Sequence, residues 1–206
     1  ITVCFIENID AMGVHTGDSF CSAPMLTISP ELQERLQKYS YDVVDAIEVV
    51  GGTNIQFAHD PQTGRVVIIE INPRTSRSSA LASKATGFPI ALVSTMLAAG
   101  LTLDEIPYWR DGTLDKYTPS GEYVVIKFAR WAFEKFPGSI DKLGTQMRAV
   151  GEVMSIGKTY KEAFQKSIRS LEINRYGLGF AKDFNQRSLE DLLSMLAERS
   201  EEHTSE

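Results

Sequence analysis

The spacing of hydrophobic and polar positions changes along the chain between a period near two and a period near four, and each change marks an element. Residues 1–6 and 18–23 are short apolar runs on either side of a polar turn, Met12-Gly13-Val14-His15-Thr16-Gly17, and predict two short strands. Leu32, Leu36, Tyr39, Val43 and Ile47 then recur at helical spacing and predict one apolar helix face. Ser29-Pro30-Glu31 supplies its start: a serine to accept an orphan N–H, a proline preset for the first helical position, and an acid at the positive end of the dipole. Gly51-Gly52 is expected to end the element as a simple turn.

Two β-rich runs follow, Asn54 to Ala58 and Arg65 to Ile71, joined by Asp60-Pro61-Gln62-Thr63-Gly64, which predicts a hairpin. Pro73 stops the second strand. Ser78 to Ala85 and Ile90 to Ala99 predict helices divided by Gly87-Phe88-Pro89. Residues 110–121 are polar and are expected as a loop; Glu122 to Phe128 and Glu152 to Ile156 as strands. Thr159, with Glu162 three positions on, predicts a capping box for a helix to about Ile173. Tyr176-Gly177-Leu178-Gly179 precedes a last helix from Ser188 to Leu196 and is the expected domain boundary. The chain opens as if in mid-strand, so a cut is expected there. Residues 199–206 (RSEEHTSE) match the translation of a common sequencing adapter and are expected to be a non-native, disordered tail.

Composition narrows the partners. At 206 residues the chain holds one sizeable core, or one domain and the start of another. Its net charge of -6, with no cluster of Lys and Arg, argues against a nucleic-acid partner. Cys4 and Cys21 lack metal-ligand spacing and are too few for a disulfide framework, so buried free thiols in a reducing cytoplasm are expected. The least polar stretch, Phe88 to Leu103, falls short of the ~18 residues of a membrane helix and contains Pro89, Ser94 and Thr95; a core helix, and no membrane, is expected.

The chemistry concentrates in the hairpin. Side chains alternate along a strand, so Glu70 and Asn72 project from one face. A suitable register adds Gln56, either directly across from Glu70 or one diagonal step away; the sequence leaves that open. One carboxylate and two amide oxygens beside Ile69 and Ile71 are hard ligands suited to Mg²⁺, which completes its octahedron with water and nucleotide phosphates. The plain alternative places Glu70 on a solvated face. The cost of burying an unpaired carboxylate among isoleucines, and the residues that follow it, favour a site. Arg74 and Arg77, among Ser76, Ser78 and Ser79, bring guanidinium forks that match bicarbonate or phosphoryl oxygens. Helix N–H groups beside them would add positive potential.

Ile69-Glu70-Ile71-Asn72-Pro73-Arg74, followed by Ser76-Arg77-Ser78-Ser79-Ala80-Leu81-Ala82-Ser83-Lys84-Ala85-Thr86-Gly87, resembles the ATP-grasp signature of the carbamoyl-phosphate synthetase large subunit. Glu7-Asn8-Ile9-Asp10-Ala11-Met12-Gly13-Val14-His15-Thr16-Gly17-Asp18-Ser19 is similar to a second block of that family. Phe133-Glu134-Lys135-Phe136, continuing through Met147-Arg148-Ala149-Val150-Gly151-Glu152-Val153-Met154, is similar to a third. The matches keep their order over nearly residues 5–175. The Ser-Arg-Ser-Ser-Ala-Leu-Ala form resembles the first of the family's two ATP-grasp halves.

The resemblance implies an α+β fold: the C-terminal part of an ATP-grasp domain over residues 1–174, then the start of a helical oligomerisation domain over 175–198. It implies ATP with Mg²⁺ or Mn²⁺ as cofactors and the phosphorylation of bicarbonate to carboxyphosphate, on the way to carbamoyl phosphate for pyrimidine and arginine biosynthesis. Ammonia as second substrate, a separate or fused glutaminase, and homo-oligomerisation are implied with it. By the same resemblance, Gln56, Glu70 and Asn72 match metal ligands, with Gln56 and Glu70 also near the nucleotide. Gly13, Val14 and His15 match nucleotide contacts, and Arg74 and Arg77 match positions that steady bicarbonate and the transferring phosphoryl group. The family's glycine-rich loop and adenine-binding segment have no counterpart here, so the chain alone is expected to hydrolyse no ATP.

Other conspicuous residues are expected to be structural: His59 exposed beside the hairpin turn, Trp131, Phe133 and Phe136 in core or interface packing, and Lys84 on its helix. Two rival readings stand beside the synthetase: a biotin carboxylase-like ATP-grasp ligase, and a non-catalytic assembly module with an inherited fold.

Overall fold

The computed structural model describes residues 1–108, 112–135, 137–138, 140–178 and 186–201. The fold is α+β, with antiparallel sheets and flanking helices. Its centre is a four-stranded sheet in the order β1 (Glu7–Asn8), β2 (Cys21–Ala23), β7 (Val124–Trp131), β8 (Ala149–Gly157).

Alternation along β7 divides the sheet's two faces. Val125 and Lys127, opposite Ala23 and Cys21 on β2 and Ile156 and Met154 on β8, form one face. There Val125 and Ala23 are buried against Leu81 and Ala85 of helix α2 (Arg77–Thr86). Ile126 and Phe128 form the other face, under helix α4 (Tyr160–Ser170), where Phe128 meets Phe164 with ring centroids 5.7 Å apart. Gly157 allows this close approach: a Cβ there would stand 2.6 Å from the Ala163 backbone nitrogen. Thr159 caps α4 by accepting from Glu162 N at 3.2 Å, while the Glu162 carboxylate turns back to Lys158 N rather than to the cap itself. The helix ends at Ser170, short of Ile173.

Helix α1 (Pro30–Ala46) begins as its sequence predicts, with Ser29 Oγ accepting from Leu32 N. Its apolar face is largely uncovered: Leu36 is buried, whereas Tyr39 and Ile47 are 37% and 49% exposed. The hairpin is strands β3 (Asn54–His59) and β4 (Val66–Asn72), which among the described residues pair only with each other. Beyond it, α2 ends at Gly87, whose φ of +71° suits glycine, and α3 (Ile90–Ala98) leaves at a 117° bend. Among the described residues no single helix is long and apolar enough to cross a membrane.

Four sequence expectations need correction. Residues 1–6 do not form a strand; they are irregular, and their apolar side chains serve two cores, Val3 in one and Cys4 and Ile6 in the other. The expected polar loop at 110–121 contributes to a core. Strands β5 (Pro107–Tyr108) and β6 (Gly112–Thr113) pair, a 3₁₀ turn covers Leu114–Lys116, and Leu114 and Tyr117 are buried with Phe88, Val93, Ile106 and Tyr108. Two isolated apolar residues among polar ones, Leu114 and Tyr117, join that core, and no periodicity exposes such a pattern. His59 is half-buried at the end of β3 rather than exposed. The last helix, α5 (Leu189–Glu201), runs past Leu196 into the expected tail; residues 202–206, like Phe136 and Gly179, lie outside the described residues.

The two cysteines are free thiols. Burial pushes the Cys4 thiol up to about 12. Burial also raises Cys21, against the opposing pull of Lys127. Both therefore stay protonated and inert near neutral pH.

Candidate functional site

A cleft of about 510 Å³ opens between the turn at residues 12–17, the hairpin, the start of α2 and strand β7. Gly13, Val14, His15, Gln56, Glu70, Asn72, Arg74 and Arg77 all line it. Every residue singled out from the sequence for ligand or metal contact is thus brought to one place.

The hairpin register, left open by the sequence, sets Gln56 directly across from Glu70 and Asn54 across from Asn72. A β-bulge lies just beyond, where the pairing steps from Gln56–Glu70 to Phe57–Ile68 and leaves Ile69 over. The bulge turns Ile69 into the cleft beside Glu70, which strict alternation would have forbidden. Glu70 and Asn72 share a face as expected: Asn72 Nδ2 donates to Glu70 Oε1 at 2.9 Å, and Gln56 Nε2 donates to the same oxygen at 2.7 Å. The Glu70 carboxylate is exposed to the cleft, so its place rests on these amides and not on burial.

This donor set fits a hard divalent cation. Turning either amide by half a revolution replaces an N–H by a carbonyl oxygen at nearly the same position. The same three side chains can offer two donors to a carboxylate or three oxygens to a cation. Among the described residues no three His, Cys, Asp or Glu side chains gather for a metal. A cation here would take one carboxylate and amide oxygens from the chain, completed by water and phosphate oxygens in the manner of Mg²⁺.

The turn facing the hairpin is held from within. His15, which lines the cleft, accepts at Nδ1 from Gly17 N at 3.0 Å, and this bond occupies that ring nitrogen. Asp18 N and Ser19 N donate to the His15 carbonyl, and His15 N donates to Gly144 O at 2.8 Å. Thr16 Oγ1 donates to Gln56 Oε1 at 2.8 Å, linking the turn to the hairpin.

At the far wall, Ser76 N donates to Ser79 Oγ at 2.9 Å and closes the first turn of α2. Arg74 Nη2 reaches Asn72 Oδ1 at 3.5 Å. Arg77 Nη1 lies 3.5 Å from Glu152 Oε2, and its Nη2 lies 3.9 Å from Met147 Sδ. The two arginines, the α2 N-terminus and Lys127 give this side of the cleft a positive character suited to anionic oxygens.

Sequence reading missed Thr16, Lys127 and Glu152. Lys127 carried a signal: it is the one charged residue in the apolar run Val124-Val125-Ile126-Lys127-Phe128. Glu152 and Thr16 carried none, since their roles depend on partners 75 and 40 positions away in the chain. Trp131 packs on Phe128 and donates from Nε1 to Asp18 O at 3.1 Å, a structural role as expected. Lys84 is exposed on α2, away from the cleft lining.

The architecture is that of an ATP-grasp domain. The chain is similar to a Rhizobium etli pyruvate carboxylase solved with acetyl coenzyme A: TM-score 0.58, 15% identity, 82% of this chain and 17% of that one. It is also similar to the biotin carboxylase domain of Hydrogenobacter thermophilus 2-oxoglutarate carboxylase, solved with MgADP and bicarbonate: TM-score 0.52, 16% identity, 78% of this chain and 43% of that one.

Residues 1–106 match the family described as the carbamoyl-phosphate synthase L chain, ATP binding domain, and the chain belongs to that family. Residues 152–205 match the carbamoyl-phosphate synthetase large chain oligomerisation domain. The carbamoyl phosphate synthase large chain of Thermotoga maritima is 57% identical over 176 residues, covering 84% of this chain and 16% of that protein. The large chain, N-terminal section, of Methanopyrus kandleri is 53% identical over 180 residues, covering 87% and 32%. The chain thus spans a sixth to a third of the length of these relatives.

Proposed function

We propose that this segment forms part of the site at which a carbamoyl phosphate synthase large chain phosphorylates bicarbonate with ATP, giving carboxyphosphate on the way to carbamoyl phosphate. The observation that carries the reading is the convergence of Gln56, Glu70 and Asn72, in register, on a cleft that Arg74 and Arg77 also enter. Phosphoryl transfer asks little covalent chemistry of a protein; positioning and charge neutralisation supply most of the acceleration. Here Gln56, Glu70 and Asn72 hold Mg²⁺ or Mn²⁺, which supplies charge neutralisation at the phosphates when bound. Gly13, Val14 and His15 border the nucleotide. Arg74 and Arg77 steady bicarbonate and the phosphoryl group, with Glu152 orienting Arg77.

The likeness to the N-terminal section from Methanopyrus kandleri supports the first of the two ATP-grasp halves. The biotin carboxylase neighbour with MgADP and bicarbonate supports both ligands. Residues 175–198 begin the oligomerisation domain, and ammonia reaches the parent enzyme from a glutaminase subunit or domain. Two unreactive free thiols suit a reducing cytoplasm. The chain alone, about a sixth of a large chain, lacks activity.

The test uses a full-length large chain carrying this segment. Bicarbonate-dependent ADP release is expected, and Glu70→Ala should lower its rate by about a thousandfold, the several kcal/mol that a lost metal carboxylate costs. Unchanged turnover would instead support a non-catalytic assembly module.

A further inference from the structure

Lys127 is 5% exposed, yet it lines the cleft. It stands on β7 between Cys21 of β2 and Met154 of β8, its direct neighbours across the sheet. These flank the aliphatic stem, with the Cys21 thiol also within hydrogen-bonding reach of the ammonium, which donates to Thr16 O at 2.9 Å. That acceptor is neutral. Among the described residues no carboxylate lies within 4.0 Å of the Lys127 nitrogen. Of the acids in the neighbourhood, Asp10 accepts from Phe20 N at 2.8 Å, and Glu152 Oε2, buried without a hydrogen bond, forms its ion pair with Arg77 Nη1 at 3.5 Å and not with Lys127.

A buried ammonium without a counter-ion is costly to keep, because desolvation is offset only by a pairing charge. A lysine that served only to tether the turn would need no charge; a neutral donor would satisfy the Thr16 carbonyl as well. The geometry points to a ligand that brings the missing negative charge. We propose that Lys127 is a binding residue for the terminal phosphate of the nucleotide, set as a fixed point charge on the inner wall of the cleft. This rests on the phosphoryl-transfer reading above. Because Thr16 also donates to Gln56, the same hydrogen-bond chain connects the phosphate charge to the proposed metal ligands.

Lys127→Met and Lys127→Gln in the full-length large chain test it, with AMP and ATP as probes of binding and bicarbonate-dependent ADP release as the activity. Met removes charge and tether together; Gln keeps a donor for the Thr16 carbonyl and removes only the charge. Both are expected to weaken ATP binding at least tenfold, leave AMP binding within about twofold, and keep or raise the thermal midpoint, since an unpaired buried charge is gone. Should Met fail to fold, Gln carries the test alone. Wild-type ATP affinity in Lys127→Gln overturns the proposal, as does an equal loss for AMP and ATP. Failure of the wild-type chain to release ADP with bicarbonate would fall on the functional reading instead.

Discussion

Around the four-stranded sheet, the buried side chains of Asp18, Ser155 and Ser167 are bonded to backbone partners that cannot move, whereas Glu152 Oε2 on β8 is buried without a hydrogen bond. Asp18, fully buried, accepts from Arg148 N at 2.8 Å and from Ala149 N at 2.6 Å, tying the cleft turn to the start of β8. Ser155 and Ser167, also buried, both donate to Ala163 O. In the β3–β4 hairpin the polar groups are exposed and satisfy one another: two amides share one oxygen of Glu70, and Ile68 and Ile69 stay about half exposed beside them. Asp18, Ser155 and Ser167 serve structure, and the hairpin holds its polar groups ready for exchange. A ligand can take over the Glu70–amide bonds without opening a core, whereas nothing can displace the bonds of Asp18.

Removing a carboxylate from each region is the sharpest way to break this contrast. Asp18→Ala leaves two part-buried N–H groups, those of Arg148 and Ala149, without acceptors, at about 1–3 kcal/mol each. A loss of about 4 kcal/mol is expected, seen as a thermal midpoint lower by roughly 10 °C or more. Glu70→Ala, at an exposed position, should move the midpoint by less than about 0.5 kcal/mol. Similar shifts in the two variants would erase the distinction between scaffold and site.

A smaller effect is expected where the regions meet. A Cβ on Gly17 would stand 2.7 Å from Met147 Sδ, 2.9 Å from Arg77 Nη2 and 3.1 Å from His15 Nδ1. All three are side-chain ends that can yield, so Gly17→Ala should fold. Its yielding moves Arg77 away from Glu152, and phosphoryl transfer by the full-length chain should fall about tenfold, the consequence of a small misplacement of a charged group. Unchanged kcat, with the displacement of Arg77 verified crystallographically, would remove Arg77 from the reacting geometry.

How legible each region was follows from the same difference. The hairpin was readable because it is local: alternation put Glu70 and Asn72 together and the turn residues made a hairpin, while the register that sets Gln56 across from Glu70 and the bulge at Ile69 came only from the structure. The caps at Ser29 and Thr159 were readable for the same reason. The core around Leu114 and Tyr117 was not, since it is assembled from single apolar residues in a segment whose average is polar. Glu152 and Thr16 were invisible because their partners are brought near only by the sheet and the hairpin docking on the turn. The resemblance supplied Gly13, Val14 and His15, which no periodicity marks; the cleft lining brings them to the hairpin.

The smallest expected effect lies at the sheet's edge and asks whether bonding like that of Asp18 extends there. Glu7 on β1 accepts from Leu26 N at 2.6 Å, from Thr27 N at 3.0 Å and from the Thr27 hydroxyl. Burial works to raise this carboxyl, but the hydrogen bonds from Thr27 and Leu26 outweigh it and hold it below its ordinary value of 4.5. A carboxyl depressed by folding stabilises the chain above its unfolded value, and that contribution disappears as pH falls through the folded one. Wild-type and Glu7→Gln thermal midpoints should therefore differ at pH 7, by about 1–2 kcal/mol for hydrogen bonds to a charged acceptor. They should draw together as pH drops below 4.5, because protonated Glu7 and glutamine offer the Leu26 and Thr27 donors much the same acceptor. A constant difference across that range would mean that Glu7 acts through shape alone, and that the charged bonding typical of Asp18 stops short of β1.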